Sequence, residues 1–342
     1  MVKKFVLWFK EVDKEDVGLV GGKGANLGEM TQAGFPVPEG FIVTAEAYYQ
    51  FIKENNLMVK IRHIIGAMDY QDNKSLQKTS KQIKALIVKG KMSDALVKDI
   101  FAAYKTLSGV MKDALVAVRS SATAEDLPNA SFAGQQETYL NVQGEANLLL
   151  KIKDAWASLF EARAIFYREE QKFDHFKVGI AIPVQRMVAS DTSGVMFSLD
   201  PVTNDKTKIV IEAIYGLGEL IVQGEVTPDH YEVSKTSLSI LSKQPVAQKV
   251  MMVKKGKDNK VVAVPSKLQK LQKITNDQIV KLAEYSKKLE KHYYFPQDSE
   301  WAIEKGTIYL VQTRPVTTVK ENKKATASQS QDTSSLKLLV KG

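Results

Sequence analysis

The sequence predicts an α+β protein with mixed, largely antiparallel sheets. In the first half of the chain, helical patterns separate the predicted strands, whereas from Gly179 onward the strands follow one another closely. Short connections favour antiparallel pairing, because a parallel pair needs a crossover of about a dozen or more residues. The chain has 342 residues, whereas a single hydrophobic core stops growing at roughly 250–300 residues. We therefore expect one domain over residues 1–318 with two lobes, at about 1–180 and about 181–318.

Helical periodicity is clearest in three segments. Thr44 is placed to cap a helix that runs through Asn55, with apolar residues on one face. The segment Glu145–Glu170 carries apolar residues at three-and-four spacing, which predicts one long amphipathic helix. Thr275–Gln278 fits a capping box, in which the threonine and the glutamine satisfy free backbone N–H groups at a helix start. We expect these helices to cover the sheets.

Seven segments have the composition of β-strands, since they are rich in β-branched and aromatic residues. The strands from Gly179 onward follow one another closely, which is the basis of the predicted antiparallel pairing. The predicted strands are Leu115–Arg119, Glu137–Val142, Gly179–Val188, Gly194–Leu199, Lys208–Ile214, Glu300–Ile303 and Thr307–Thr313.

The composition narrows the possible functions. The chain contains no cysteine, which excludes disulfide frameworks, thiolate nucleophiles and zinc–thiolate sites. Its net charge of +9 is spread over Lys-rich helix faces rather than gathered on one element, so we expect no nucleic acid as a partner. The longest apolar runs are far shorter than the ~20 residues that span a bilayer, and no signal-peptide cleavage site is recognisable. We therefore expect a cytoplasmic protein with no membrane partner.

The last residues of the sequence differ from the rest. The segment 319–335 consists of Lys, Ser, Thr, Gln and Ala without apolar periodicity, which indicates a flexible linker. Residues 336–342 then have strand character. We expect them to begin a further domain of a longer protein.

Glycines surround a lysine in the segment Val20–Met30. Three of them flank Lys23, just before a helical stretch that ends near Gly34. Exposed backbone N–H groups at a helix start, together with an ammonium group, favour an anion-binding site. The segment is not a P-loop, because the four-residue spacer and the Lys-Ser/Thr pair are missing. A tight turn that requires glycine is the alternative interpretation.

A second candidate segment begins where a predicted strand ends at Arg119. An arginine is a bidentate donor to phosphate, and three hydroxyl residues follow it within four positions. The small-residue stretch Ala130–Gly134 comes next, and small residues let backbone amides approach a ligand closely. A plain surface loop would not need this combination, so we favour a functional interpretation.

The segment Asp298–Pro315 predicts a β-hairpin with its reactive groups on one face. Side chains alternate along a strand, so Asp298 and Glu300 share a face of the first strand, and Gln312 and Arg314 share a face of the second. These two faces coincide only if the hairpin loop has an odd number of residues.

A three-residue loop, Glu304–Gly306, meets this condition and places its glycine where a left-handed conformation is needed. It would set Asp298 opposite Gln312 and Glu300 opposite Leu310. Carboxylate and amide oxygens would then lie beside a guanidinium, and Mg²⁺-nucleotide chemistry requires such oxygens next to a phosphate-binding cation. A solvated hairpin face with an incidental ion pair is the alternative.

Together and in this order, the segments resemble the N-terminal ATP-binding domain of the phosphoenolpyruvate synthase (pyruvate, water dikinase) family. The resemblance covers about Phe5 to Thr317, and its most specific part is RSSATAEDLP followed by ASFAGQQET within Arg119–Thr138. The related pyruvate, phosphate dikinases carry a Met-rich loop after their Arg-Ser pair, so this sequence is similar to the water-dependent branch. Supporting motifs stand at Val20–Met30, Phe35–Phe41, Val184–Met187, Ser193–Pro201, Tyr215–Glu219, Val222–Gly224 and Gln312–Pro315.

The resemblance implies an ATP-grasp-type fold, with the nucleotide held between two lobes, and the cofactors ATP and Mg²⁺. It implies that Lys23, Arg119 and Arg314 bind the phosphates and stabilise the charge that develops during transfer. It also implies Mg²⁺ ligation by Glu300 and Gln312. The residues implied at the nucleotide are Lys23, Arg119, Ser131, Phe132, Ala133, Gly134, Thr138, Gln185, Met187, Glu212, Asp298, Glu300, Gln312 and Arg314.

Within that set, the resemblance implies four further roles. The loop Ser131–Gly134 would close over the phosphates. Residues Gln185–Met187 would lie against adenine, mostly through backbone groups. Glu212 would reach the ribose, and Asp298 would lie near the metal.

In this family a phosphoryl group passes from ATP to a histidine on a separate domain and then to pyruvate on a third domain, with AMP and phosphate as by-products. The carrier motif, a Gly-Gly pair followed by Ser or Thr and His-Ala-Ala, is absent from this sequence. Each of its four histidines stands in a context typical of a structural or solvated residue. The implied partners are therefore ATP, a phosphohistidine carrier domain and a pyruvate-binding domain of a longer chain.

Three other functions are compatible with the sequence. Rifampin phosphotransferases use a very similar ATP domain with another acceptor, and only sequence beyond Gly342 separates the two families. A stand-alone, non-catalytic nucleotide-binding domain would bind nucleotide without transferring a phosphoryl group to a carrier domain. Nucleic-acid binding would show steep salt dependence and no response to Mg·ATP.

Overall fold

The computed structural model of the chain describes residues 4–110, 112–123, 137–256 and 258–316. The first six strands form one antiparallel sheet, here called the first sheet, in the order β1-β2-β6-β3-β5, with β4 also paired to β6. These strands are β1 (Val6–Trp8), β2 (Gly40–Val43), β3 (Val116–Arg119), β4 (Ser121–Ala122), β5 (Thr138–Val142) and β6 (Ile180–Arg186).

The later strands form a second sheet and a separate hairpin. They are β7 (Thr192–Phe197), β8 (Lys208–Tyr215), β9 (Asp229–Ser234), β10 (Ile240–Gln244), β11 (Val250–Lys255), β12 (Asp258–Ala263), β13 (Gln297–Glu304) and β14 (Thr307–Pro315). The second sheet has the order β10-β9-β8-β7-β13-β14, and β11 pairs only with β12 among the described strands. The predicted α+β class with largely antiparallel pairing is confirmed. Of the pairings in the described ranges, a single isolated bridge, Gly216–Met252, is parallel.

Helices cover both sheets. They are α1 (Val17–Gln32), α2 (Ala45–Glu54), α3 (Leu57–Gly66), α4 (Asn73–Lys89), α5 (Asp94–Ser108), α6 (Glu145–Ala157), α7 (Ala162–Glu170), α8 (Glu219–Val222) and α9 (Asn276–Tyr293). The predicted caps are confirmed: the Thr44 hydroxyl accepts a hydrogen bond from the Ala47 N–H, and Thr275 and Gln278 form the capping box of α9. No helix in these four ranges has the length and apolarity needed to cross a membrane.

The single helix predicted for Glu145–Glu170 is wrong, because the chain breaks between α6 and α7. The short 3-10 turn Ser158–Phe160 ends α6, and Glu161 has an extended ψ of 146°. The Ser80 hydroxyl of α4 donates a 2.7 Å hydrogen bond to the Phe160 carbonyl, which satisfies the acceptor that a continuous helix would have used. The break therefore comes from a tertiary contact that periodicity does not report.

Two large apolar cores lie on either side of the first sheet. One fills the space between this sheet and helices α2 to α7, with Phe41, Phe51 and Trp156 fully buried. The other includes α1, α9 and the facing side of the second sheet, where Trp301 is buried. Helix α1 packs against both β6 and β14, so it joins the two sheets.

Strand β6 ends at Arg186 and pairs with β2 and β3 of the first sheet. The chain therefore leaves the first sheet a few residues after position 181, where we expected one lobe to give way to the other. The lobe division itself stays a prediction.

Candidate functional site

A cleft of about 1780 Å³ lies between the two sheets. The first-sheet side contributes α1, the end of β3, β5 and the end of β6, and the second-sheet side contributes β7, β13 and β14. Of the residues predicted at the nucleotide, those lining this cleft are Lys23, Arg119, Thr138, Gln185, Met187, Asp298, Glu300, Gln312 and Arg314. The predicted loop residues Ser131, Phe132, Ala133 and Gly134 lie outside the described residues.

The glycine-rich segment reaches the cleft because α1 is interrupted at Gly21, which has a φ of 67°. A Cβ atom there would stand 2.4 Å from the carbonyl oxygen of Ser121, so only glycine allows this approach. The Ser121 hydroxyl accepts hydrogen bonds from the N–H groups of Lys23 (3.1 Å) and Gly24 (3.4 Å). The Lys23 ammonium donates to the carbonyl of Ser120 at 3.4 Å. Glycine is therefore required for the turn, and that turn places Lys23 beside the segment that follows Arg119.

Replacing Gly21 with alanine should lower the free energy of unfolding by about 2–5 kcal/mol, because a residue with a side chain at positive φ costs ~1–2 kcal/mol and overpacking costs ~1–3 kcal/mol. Gly18→Ala is the matched control in the same helix, since a Cβ there meets nothing within 4 Å. Denaturant unfolding of both variants checks this. Equal stability of the two would contradict the role of Gly21.

Arg119 extends from the first sheet across the cleft to the second. Its Nη1 donates to the Val311 carbonyl at 3.2 Å and to Gln312 Oε1 at 3.1 Å, and its Nη2 donates to Glu300 Oε2 at 3.3 Å. The side chain is 11 % exposed. Its Nε atom is buried and has no hydrogen-bond partner among the described residues. One guanidinium thus connects the strand end of the first sheet to both predicted metal ligands.

The β13–β14 hairpin has a different register from the predicted one. Its loop has two residues, Lys305 and Gly306, both with positive φ (50° and 83°), as in a type I′ turn, so the predicted three-residue loop is wrong. Glu300 stands opposite Gln312, and Asp298 opposite Arg314. The predicted pairs of Asp298 with Gln312 and of Glu300 with Leu310 are therefore wrong as well.

A β-bulge nevertheless brings the predicted side chains to one face. The register shifts between Glu300 and Trp301, which leaves Val311 without an opposite residue. The even loop and the extra residue together have the effect of the odd loop that we expected, since each single residue reverses the alternation. The unpaired Val311 also presents its carbonyl to Arg119.

The charges along this face balance one another in pairs. Arg314 Nε lies 2.8 Å from Asp298 Oδ2. Burial raises the pKa of the Asp298 carboxyl, and the nearby Arg314 guanidinium opposes that rise.

The described residues contain no group of three or more His, Cys, Asp or Glu side chains placed to hold a metal ion. Mg²⁺ often binds through one or two carboxylates plus substrate phosphates, so Glu300 with Gln312 suits Mg²⁺ only beside a phosphate ligand.

The remaining predicted residues divide into two groups. Gln185 is almost fully buried at the end of β6, and its Nε2 donor has no partner in the part of the chain that the structure describes. Thr138 stands opposite Arg119 on the neighbouring strand, and Met187 follows β6. Glu212, in contrast, does not line the cleft. It shares a sheet face with Glu300 but lies two strands away from it. Its Oε1 atom is 3.7 Å from His230 Nδ1.

Sequence reasoning missed several polar residues of the cleft wall, and three of them form a linked group. Asn141 on β5, Asn259 on β12 and Glu219 on α8 line the cleft and are linked through their side chains. Glu219 was available as the last residue of the YGLGE motif, although no role was attached to it. Asparagines in short polar stretches carry no spacing signal of their own.

Comparison with known proteins identifies the family to which this chain is similar. The family model described as "Pyruvate phosphate dikinase, AMP/ATP-binding domain" matches residues 17–335. The chain is 47% identical to a "Probable phosphoenolpyruvate synthase" of Methanocaldococcus jannaschii over 99% of its length. It is 43% identical to the "Phosphoenolpyruvate synthase" of Pyrococcus furiosus over its whole length, and 47% identical to that of Aquifex aeolicus over 92%.

The chain matches only the N-terminal part of these longer relatives. It spans 29% of the Methanocaldococcus protein, 47% of the Pyrococcus protein and 40% of the Aquifex protein. The family model covers most of this chain, in agreement with the resemblance seen in its motifs. The chain therefore belongs to the family of pyruvate phosphate dikinase AMP/ATP-binding domains.

Proposed function

We propose that this chain is the ATP-binding and phosphoryl-donating module of a phosphoenolpyruvate synthase, with an ATP-grasp-type arrangement of two lobes around the nucleotide. The observation that carries the proposal is the contact of Arg119 with Glu300 and Gln312 across the cleft. The longer relatives are named as phosphoenolpyruvate synthases. The family resemblance supplies the overall reaction, in which ATP, pyruvate and water give AMP, phosphoenolpyruvate and phosphate.

The donors and acceptors in the cleft suit Mg·ATP. Arg119 Nε and Gln185 Nε2 are buried donors without protein partners among the described residues, so an acceptor-rich ligand would satisfy both. Glu300 and Gln312 offer the oxygen atoms that Mg²⁺ prefers. When bound there, Mg²⁺ would neutralise part of the phosphate charge.

Each polar side chain then has a defined task. Lys23 and Arg119 bind phosphate oxygens, and Arg119 must turn from Glu300 and Gln312 to reach them. That turn frees the Glu300 carboxylate and the Gln312 amide oxygen for the metal. Arg314 contacts the transferring phosphates. Fixed cations around the phosphates stabilise the charge that develops in the transition state.

The segment Gln185–Met187 lies against the base, with Thr138 beside Arg119. Glu212 reaches the ribose only if its strand or the nucleotide shifts, because its carboxylate lies outside the cleft wall. The acceptor of the phosphoryl group is a histidine on a separate carrier domain, and a third domain binds pyruvate. Both domains belong to the part of the relatives that this chain does not span.

Calorimetric titration with ATP, in Mg²⁺ and in EDTA, tests the proposal. We expect saturable binding that is stronger in Mg²⁺. Glu300→Ala should remove most of the difference between the two conditions, because it deletes a metal ligand. Glu232→Ala is the control, since Glu232 lies in the same sheet but pairs with Lys208 at 2.8 Å outside the cleft wall. An unchanged Mg²⁺ effect in Glu300→Ala would contradict the proposed metal site.

A further inference from the structure

The hairpin formed by β11 and β12, here called the cleft hairpin, belongs to neither large sheet. Its strands are Val250–Lys255 and Asp258–Ala263. Asp258 and Asn259, next to its turn, line the cleft. The tip of a separate two-stranded element is therefore part of the cleft wall.

Asn259 connects this tip to both sides of the cleft. Its Oδ1 accepts a hydrogen bond from Asn141 Nδ2 on β5 of the first sheet. Its Nδ2 donates to Glu219 Oε1 at 2.8 Å, on α8 after β8 of the second sheet. The single amide of Asn259 thus joins the two sides, as Arg119 does elsewhere on the same cleft.

The backbone of β5 is shaped to make this contact. Asn141 has a left-handed φ of 56°, and it lies where the β3–β5 register is irregular, between the pairs of Val116 and Val118. Asparagine tolerates this conformation better than most residues do, and a bulge redirects a side chain. The Asn141 side chain is buried at the cleft and bonded to Asn259 rather than to its own sheet.

The base of the cleft hairpin is fixed more firmly than its tip. The Leu217 N–H donates to the Met252 carbonyl at 2.9 Å. Gly216 (φ 81°) allows this approach, because a Cβ there would stand 2.3 Å from the same carbonyl. Nearby, Gln248 exchanges hydrogen bonds with the backbone of Tyr215. These contacts form a pivot at Met252, which stands opposite Val261, two residues along the strand from Asn259.

Little apolar burial holds the rest of the hairpin. From this hairpin, Met252 belongs to a small apolar core of four buried residues. Val250 and Val261, also in the hairpin, are exposed. An isolated two-stranded hairpin is marginally stable in water, and elements with little buried apolar surface open at low cost. The two Asn259 hydrogen bonds are therefore the principal described polar contacts that keep the tip against the cleft.

We propose that the cleft hairpin is a movable wall of the nucleotide cleft, held closed by Asn259 between Asn141 and Glu219, and that nucleotide loading and release require these two hydrogen bonds to open. This inference rests on the proposed function, since the ligand is Mg·ATP. The hairpin stays in place at Met252, and the part beyond it, which carries Asn259, moves. Asn259 is a positioning residue that sets the rate of nucleotide exchange.

A reversible crosslink across the contact tests the proposal. The chain has no cysteine, so Asn141→Cys combined with Asn259→Cys provides one pair of thiols with no competitors. A short bis-methanethiosulfonate linker would fix the tip, and dithiothreitol would release it. We expect the association rate constant of a fluorescent ATP analogue with Mg²⁺ to fall about tenfold or more when linked and to recover on reduction. Each single-cysteine variant treated with the linker is a control, and Asn141→Cys alone also reports any strain at φ 56°.

A second variant opens the wall instead of locking it. Asn259→Ala loses both hydrogen bonds, and we expect association and dissociation rate constants to rise together, each by about tenfold, because the closed form loses two side-chain contacts. Lys260→Ala is the matched control on the same strand. Glu219→Gln keeps the accepting oxygen and should behave like the unmodified chain, whereas Glu219→Ala should resemble Asn259→Ala. If Asn259 only stabilised the folded cleft, Asn259→Ala would slow association of the nucleotide or abolish its binding.

The outcomes separate the two proposals. If the linked protein loads nucleotide as fast as the reduced protein, the cleft hairpin is not a gate, although the cleft still binds Mg·ATP. If the unmodified chain binds no Mg·ATP, the proposed function fails and the gate fails with it. Faster exchange in Asn259→Ala together with slower exchange in the linked pair supports the gate.

Discussion

Arg119→Ala should weaken Mg·ATP binding by about a hundredfold or more, equivalent to about 3 kcal/mol, because charge-assisted hydrogen bonds to phosphate are worth ~1.5–3 kcal/mol each. The loss is smaller than the sum of the new bonds, since Arg119 must first give up Glu300 and Gln312. Calorimetry in Mg²⁺ measures it. Wild-type affinity in this variant would contradict the central assignment of the site.

Arg119→Lys separates charge from geometry. A lysine retains the positive charge but not the planar fork that contacts two partners at once. We expect an affinity between those of the unmodified chain and Arg119→Ala. Thermal unfolding of each variant without nucleotide shows whether the fold is intact, which matters because Arg119 joins the two sheets.

Lys273→Ala should destabilise the fold by about 3–5 kcal/mol, because it leaves a buried carboxylate without its cation. Lys273 and Asp229 are both fully buried, with Nζ 2.5 Å from Oδ1. The same carboxylate accepts hydrogen bonds from the Tyr231 hydroxyl at 2.6 Å and from the Val246 N–H at 2.8 Å. Asp229 thereby connects β9 by a hydrogen bond to the segment between β10 and β11, which leads into the cleft hairpin.

The double variant Asp229→Asn/Lys273→Met is the control for this effect. Removing both charges while keeping most of the volume is often close to neutral for a buried ion pair. Chemical denaturation should show that the double variant recovers most of the stability lost in Lys273→Ala. Equal losses in the two proteins would mean that packing, rather than the unpaired charge, determines the result.

The sequence correctly predicted which side chains of the β13–β14 hairpin share a face, but it did not predict the pairing register or the loop length that brings them there. Alternation along two strands correctly placed Asp298, Glu300, Gln312 and Arg314 together. The pairing was two residues out of register, because nothing in the pattern marks Val311 as unpaired. A bulge depends on what the extra carbonyl meets, which here is Arg119, a residue far away in the chain.

Other differences have the same physical origin. The end of α6 depends on Ser80, and the approach of Gly21 depends on Ser121. The cleft hairpin was not predicted, because β11 and β12 are largely exposed and bury few apolar residues. The position of Glu212 follows from the order of strands in the second sheet, which the linear sequence does not contain.

The unpaired Val311 determines where this hairpin can vary in length. A residue added at Lys305–Gly306 lengthens the loop and leaves the pairs of Glu300 with Gln312 and of Asp298 with Arg314 in place, because β13 is also held by β7. Deleting Val311 would keep Gln312 opposite Glu300 but remove the carbonyl that Arg119 contacts. Loop grafting is therefore tolerated at the turn, whereas removal of Val311 would take away one of the contacts between the two sheets.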